Sequence, residues 1–274
     1  MFGIRELALL IGVSTLLVGA GTPTVAATPL PPEVIHTVGV YSRPLDSIEV
    51  KNLGVFAFGD TADQIDGAGW GLDQLVEAEA ESVLSGRFMV KPVGFDPTVL
   101  ANVHDSLLGG VAPSLGKAVR ALPPAGVEAY LILLPDTELL QYPLNGRSRV
   151  GLGVIKGSAR RDLPSAIHLD YTAYLVDAKT GDVIVQEEGT HDKHGHFMSS
   201  YVPVELTDTP WPGKWADATD EQKSALQAKL TSMFRDSLDY TLRKMAASPA
   251  LARSPEICKV ASRRRSKLRH RDNG

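Results

Sequence analysis

The chain has one cysteine, Cys258, among 274 residues. An internal disulfide is therefore impossible, and so is a cysteine-rich zinc site. In an oxidising or a reducing compartment alike, the core must hold the fold unaided. Aromatic residues make up 6% and only three are tryptophan, Trp70, Trp211 and Trp215. Beyond residue 20 no apolar run reaches the roughly 20 residues a membrane-spanning helix needs. Signatures of nucleotide chemistry are missing too. Gly67-Ala-Gly-Trp-Gly is not a dinucleotide fingerprint, and no phosphate-loop lysine follows it. It reads as a loop leading into a helix, and no cofactor is expected.

What is present begins at the N-terminus. Arg5 precedes an almost wholly apolar stretch of 14 residues, Leu7 to Ala20, followed by Gly21, Pro23 and the small residues Val25, Ala26 and Ala27. That order is the charged, apolar and small-residue pattern of a secretory signal peptide, and the apolar part is too short to span a bilayer. Residues 1–27 are expected to be a signal cleaved after Ala27, with 28–33 as a linker. The expected product is an exported protein, most simply placed in a bacterial periplasm, with no transmembrane span after cleavage. No cysteine near the cleavage site offers a lipid anchor.

Charge is unevenly spread. From Lys259 onward seven basic residues face one acidic one, whereas the whole chain carries −4. The body from Thr28 to Cys258 is therefore at −10. Residues 247–274 are expected to form a disordered basic tail, because charged, aromatic-free segments bury too little to order themselves. Its alternative role is a tether to an anionic surface such as lipid head groups. An acidic body makes nucleic acid a poor partner.

Periodicity predicts an α/β fold: a layered domain over residues 34–246 with a mixed β-sheet, a late β-hairpin and a long C-terminal helix. Val34–Ser42 and Ile48–Phe58 read as strands able to pair as a hairpin. Leu72 to Leu84 has helical spacing, with Gly86 placed to close it. Phe88–Val93 reads as a strand completing a parallel crossover with Ile48–Phe58. Pro97–Leu108 and Pro113–Leu122 read as short helices. Val127–Leu134 is the most apolar strand and the expected centre of the sheet. Val150–Ile155 is a further candidate strand. Ala166–Val176 and Asp182–Thr190 flank a turn in which Gly181 is free to take positive φ. Thr190–Ala218 reads as an irregular excursion. Thr219 and Gln222 fit a capping box opening a helix with one apolar stripe from Leu226 to Met245.

Candidate chemistry is fragmentary, and no residue is assigned a catalytic role. Gly54–Asp60 followed by Thr61 is similar to the strand-end nucleophile block of the GDSL esterases, which place serine where Thr61 stands. The companion blocks of that family are missing, so a plain strand end is the favoured reading. His191, His194 and His196 form the one histidine cluster. Imidazoles this close can share zinc or copper, but on a strand His191 faces away from the other two. A solvated loop is preferred and no metal is expected. Arg147, Arg149, Arg160 and Arg161 fit an anion patch or a solvated loop equally well. Tyr201, Trp211 and Trp215 place aromatic side chains in a polar excursion, where binding surfaces often lie.

The run Tyr171 to Val185 (YTAYLVDAKTGDVIV), the apolar strand from Val127, the early LGVFAF, the helix Leu72–Leu84 and Gly86-Arg-Phe-Met-Val together resemble bacterial envelope accessory domains of the CsgG-like, LpoB and TolB N-terminal type. The resemblance spans about Ile48 to Met245. It implies a domain that binds other envelope proteins and has no catalytic residues to carry over. The sequence thus reads as an exported, non-enzymatic binding or accessory protein. An exported hydrolase using Asp60-Thr61 or the His191–His196 cluster is the alternative.

Overall fold

A computed structural model describes residues 35–41, 45, 47–53, 61–94, 97–100, 103, 110–140, 147–156, 165–189, 204–207, 211–212 and 214–252, the side chains of 97, 137–150 and 204–207 excepted. The signal segment, Asp60, Arg160, Arg161, the His191–His196 cluster, Tyr201 and residues 253–274 of the expected tail 247–274 lie outside the described residues, as do the side chains of Arg147 and Arg149. Residues 247–252 of that tail are described and include the helical turn Pro249–Ala252, whose Leu251 is buried.

The fold is α/β, as the periodicity requires, but its strands divide between two mixed sheets. In sheet one, β1 (Thr37–Tyr41) lies between β4 (Met89–Pro92) and β5 (Ala129–Pro135), parallel to both. Antiparallel to β5 runs β10 (Tyr171–Asp177), which pairs in turn with β11 (Val183–Glu188). β5 is central, and its first six residues are all buried. In sheet two, β2 (Ser47–Asn52) pairs with β3 (Thr61–Asp66) and with β8 (Leu152–Lys156). β9 (Ser165–Leu169) follows β8, and β12 (Val204–Thr207) lies at the far edge. β6 (Thr137–Leu140) and β7 (Arg147–Val150) form a small separate ribbon.

The first two strands are therefore not a hairpin. They lie in different sheets, and the parallel partner of β4 is β1, not β2. Helix α1 (Leu72–Leu84) forms where its spacing places it, but it closes at Ser85 in right-handed conformation without a left-handed Gly86. Of the expected helix Pro97–Leu108, one 3₁₀ turn, Pro97–Val99, is described. The next, α2, spans Ala112–Arg120 with proline in its first turn, where a missing N–H costs nothing. The excursion after Thr190 is not wholly irregular, since it contains β12.

Alternation assigns the faces. Val38, Val40, Leu131, Leu133, Ala173 and Leu175 of sheet one join Ile48, Val50, Leu152, Val154, Ile167 and Leu169 of sheet two in one core with α1 and α3 (Asp220–Ala246). Tyr41, Tyr130, Ile132, Leu134, Tyr174 and Val176 point the other way and meet Leu115 and Val119 of α2. The stripe of α3 from Leu226 to Met245 is buried as its spacing demands. Within it Phe234 meets the Tyr171 ring edge-on at 5.3 Å, and the Tyr171 hydroxyl bonds Ser237 at 2.9 Å. Burial pushes the Tyr171 phenol up to about 12 against the opposing hydrogen bonds, so it stays protonated. Arg87 donates to the carbonyls of Ala246 and Leu251, satisfying chain ends at the foot of α3 and in α4 (Pro249–Ala252).

The capping box is formed in full. Thr219 Oγ1 accepts from Gln222 N at 3.2 Å, and Gln222 Oε1 accepts from Thr219 N at 3.0 Å. Thr219→Ala should cost about 1 kcal/mol of unfolding free energy. A urea midpoint unchanged from wild type would show that the box contributes nothing.

The hairpin β10–β11 turns where glycine was needed. Asp177 Oδ1 accepts from Lys179 N at 2.8 Å and Thr180 N at 2.7 Å, and Gly181 has φ of 73°. Gly181 also lies against Gly116 of α2, backbone to backbone, so neither position has room for a side chain.

Ala166–Val176 reads in the sequence as one strand. Its alternation does run unbroken, with Ile167, Leu169, Tyr171, Ala173 and Leu175 all in the α1/α3 core. At Asp170, however, the chain changes partner, from β8 in sheet two to β5 in sheet one. Two other passes meet it there. Asp136 N donates to Asp170 O, Asp170 N to Gly151 O, and Gly151 N to Asp136 O, at 2.8–3.0 Å. These three bonds close a ring at the corner joining the sheets.

Candidate functional site

Two arrangements stand out, one exposed and one sealed. The exposed one involves the tryptophans. Trp70 ends the 3₁₀ turn before α1, and Trp215 begins the one before α3. Both are half-buried, each resting one side on the α1/α3 core, and their ring centroids are 6.2 Å apart at 39°. Lys223 Nζ lies 5.6 Å from the centre of the Trp215 ring, within cation–π range. The pair joins residues 145 positions apart, which no local pattern in the sequence links.

Trp211 belongs elsewhere. Expected on an exposed loop with Trp215, it is only 5% exposed and is part of the core. Its polar, proline-rich neighbourhood conceals that anchoring role. Trp211 is therefore unavailable as a contact residue, and the two tryptophans partly open to solvent are Trp70 and Trp215.

The sealed arrangement lies on the face of sheet two opposite the α1/α3 core. Glu49 of β2 is in register with Gly153 of β8, and Gly153 with His168 of β9. The three occupy one row across three adjacent strands. Gly153 has no side chain, so the outer two reach each other over it. A Cβ at Gly153 would collide with the Glu49 carbonyl and stand 2.8 Å from His168 Nε2. His168 Nε2 is 3.4 Å from Glu49 Oε2, while Nδ1 is 2.9 Å from Asp170 Oδ2. His168 and Asp170 are 0% exposed and Glu49 4%. Lys51, two residues beyond Glu49 on the same face, is 7% exposed. Burial works to lower the His168 pKa. The hydrogen bonds and charges of Asp170 and Glu49 outweigh it, and the net shift is upward. This cluster escaped the sequence reading. Its signal was polar residues two apart in an apolar run, with a glycine inside a neighbouring strand.

A Glu-His-Asp set has the composition of acid–base machinery, but here all three residues are buried. Nor does it serve Thr61. That residue opens β3 and pairs with Asn52, three rows along the strand from Glu49, and β3 lies three strands from β9. At strand spacings of about 3.3 and 4.8 Å, Thr61 and His168 are roughly 17 Å apart. Thr61 is exposed at the sheet edge. No group of three or more potential metal ligands occurs among the described residues, and no helix among them is long and apolar enough to cross a membrane.

No protein-family model matches the chain, and no curated protein matches it. Among solved structures it is similar to a Xanthomonas campestris protein described by the family model DUF330, at 11% identity. That likeness covers 82% of this chain and 89% of the other, with a TM-score of 0.32, and so distant a likeness decides neither fold nor function.

Proposed function

We propose that the chain is an exported, non-enzymatic binding or accessory protein of the bacterial envelope. The observation that carries the binding role is the Trp70–Trp215 pair: two large indoles, held in place by the core beneath them and partly open to solvent. Tryptophan is among the side chains enriched at the energetic centres of protein interfaces, because it offers much contact area at little cost in lost freedom. Lys223 at its edge provides a polar, charged rim. The burial of the Glu49–His168–Asp170 set favours a structural role for the one described cluster with catalytic composition. Export rests on the N-terminal pattern ending at Ala27, and the basic tail is a second route to an anionic surface.

Two measurements test this reading. N-terminal sequencing of the protein recovered from the periplasmic fraction should begin at Thr28, and retention of Met1 refutes the export proposal. Affinity capture from the envelope fraction should recover a partner with wild type and lose it with the Trp70→Ala, Trp215→Ala double variant, which keeps its Trp211 anchor. Identical partners for both proteins, or none for either, would remove this surface as the interaction site.

A further inference from the structure

We propose that His168 is an imidazolium locked between Glu49 and Asp170, and that this triad is a proton-operated latch on the corner joining the two sheets. Asp170 as a carboxylate only accepts, so a 2.9 Å contact places a proton on Nδ1. Nε2 makes no hydrogen bond among the described residues and faces Glu49 Oε2 at 3.4 Å. With Nε2 bare, a lone pair would face a carboxylate inside a sealed site. A second proton there turns the contact into an ion pair and lets one ring bridge both acids.

The surroundings fit a cation. β2 presents Glu49 and Lys51 on this face. β8 presents Gly153 and Ile155, which carry no charge, β9 adds only Ala166 beside His168, and β3 on the other side of β2 presents Ala62, Gln64 and the solvent-exposed Asp66. Beyond the corner, Thr172 donates to Asp136 at 3.2 Å. Glu49, Asp170, Lys51 and the imidazolium together sum to zero charge, the condition under which buried ions are tolerable. The neutral ring would leave one net negative charge buried.

What the triad holds is the junction. Asp170 sits in the ring of backbone bonds with Asp136 and Gly151, where the chain leaves sheet two for sheet one. Its side chain, through His168, is tied back to Glu49 two strands away. Loss of the second proton removes the ion pair between His168 and Glu49 and sets two carboxylates against an uncharged ring.

The sign follows from linkage. A histidine whose folded-state pKa is raised stabilises the fold fully below its unfolded value near 6.5, and that contribution fades as pH rises through the folded pKa. Wild-type urea midpoints should therefore fall above about pH 6.5, by up to tenfold in the folding constant per pH unit. His168→Gln, which cannot take up a proton, should lose that decline. A wild-type midpoint that is flat or rising over this range overturns the proposal, and so does an equal decline in the variant. Should His168→Gln not fold, nitrogen NMR of the unsubstituted protein decides. One of the seven histidines should keep both ring protons well above the pH at which an ordinary imidazole loses one. If every histidine titrates near 6.5, there is no latch.

Discussion

Trp211→Ala should lower the unfolding free energy by about 3–5 kcal/mol, the range for emptying a large buried aromatic site. The residue is 5% exposed and belongs to the same core as α1, α3 and both sheets. Removing the indole deletes its transfer energy and leaves a void that the rigid sheets cannot close. Trp215→Ala, at a half-buried position, should cost clearly less, on the order of 1–2 kcal/mol by area bookkeeping. Urea unfolding of the two single variants, followed by circular dichroism, measures the contrast. Equal losses would contradict the division of the two residues into an anchor and a surface. The contrast also bears on function: capture experiments with Trp211 variants would report unfolding, which is why the binding test pairs Trp215 with Trp70.

Gly153→Ala should cost about 2–4 kcal/mol, at or above the usual range for overpacking. The added methyl meets the backbone carbonyl of Glu49, which is fixed by the β2–β8 ladder and cannot swing aside as a flexible side chain would. It also stands 2.8 Å from His168 Nε2, wedging apart the contact it should permit. A buried ion pair that loses its partner is strongly destabilised, so the steric and electrostatic costs add. Glycine inside a strand is ordinarily a weakness of about 0.5–1 kcal/mol relative to alanine. Stabilisation by Gly153→Ala, or a loss under 0.5 kcal/mol, would show that the row Glu49–Gly153–His168 relaxes freely. That result would also undercut the latch.

The features legible in the sequence are those written within a few consecutive residues. The capping box at Thr219 and Gln222, the stripe of α3, the turn around Gly181 and the apolar run of β5 each follow from a local rule, and each forms. The division into two sheets does not. Strand alternation records which face a side chain takes, and in Ala166–Val176 the odd residues take the same face throughout. It carries no information on which strand lies alongside, so the change of partner at Asp170 leaves no mark. The same holds for β1 and β2, whose closeness in sequence favoured a hairpin that the parallel pairing with β4 and β5 overrides. The two candidate sites were hidden for a related reason. Trp70 and Trp215, like Glu49 and His168, are brought together only by tertiary structure. Composition around Trp211 pointed to a surface because its polar neighbours outnumber it, whereas one large apolar side chain can bury itself whatever flanks it.

Thr37 pairs with Met89, and Val38 with Ala129. The inner strand of sheet one therefore waits for partners roughly fifty and ninety residues further along the chain. Only the β10–β11 hairpin closes a short loop within that sheet, and it is the last part of the sheet to be synthesised. Loop-closure entropy must be met before such distant pairings yield any stabilisation, which places the chain among slow folders with strongly non-local topology. A nascent chain of this design has nothing with which to complete its central sheet until β5 and β10 have emerged. Sheet one stays incomplete until β11, which ends at Glu188, has been made.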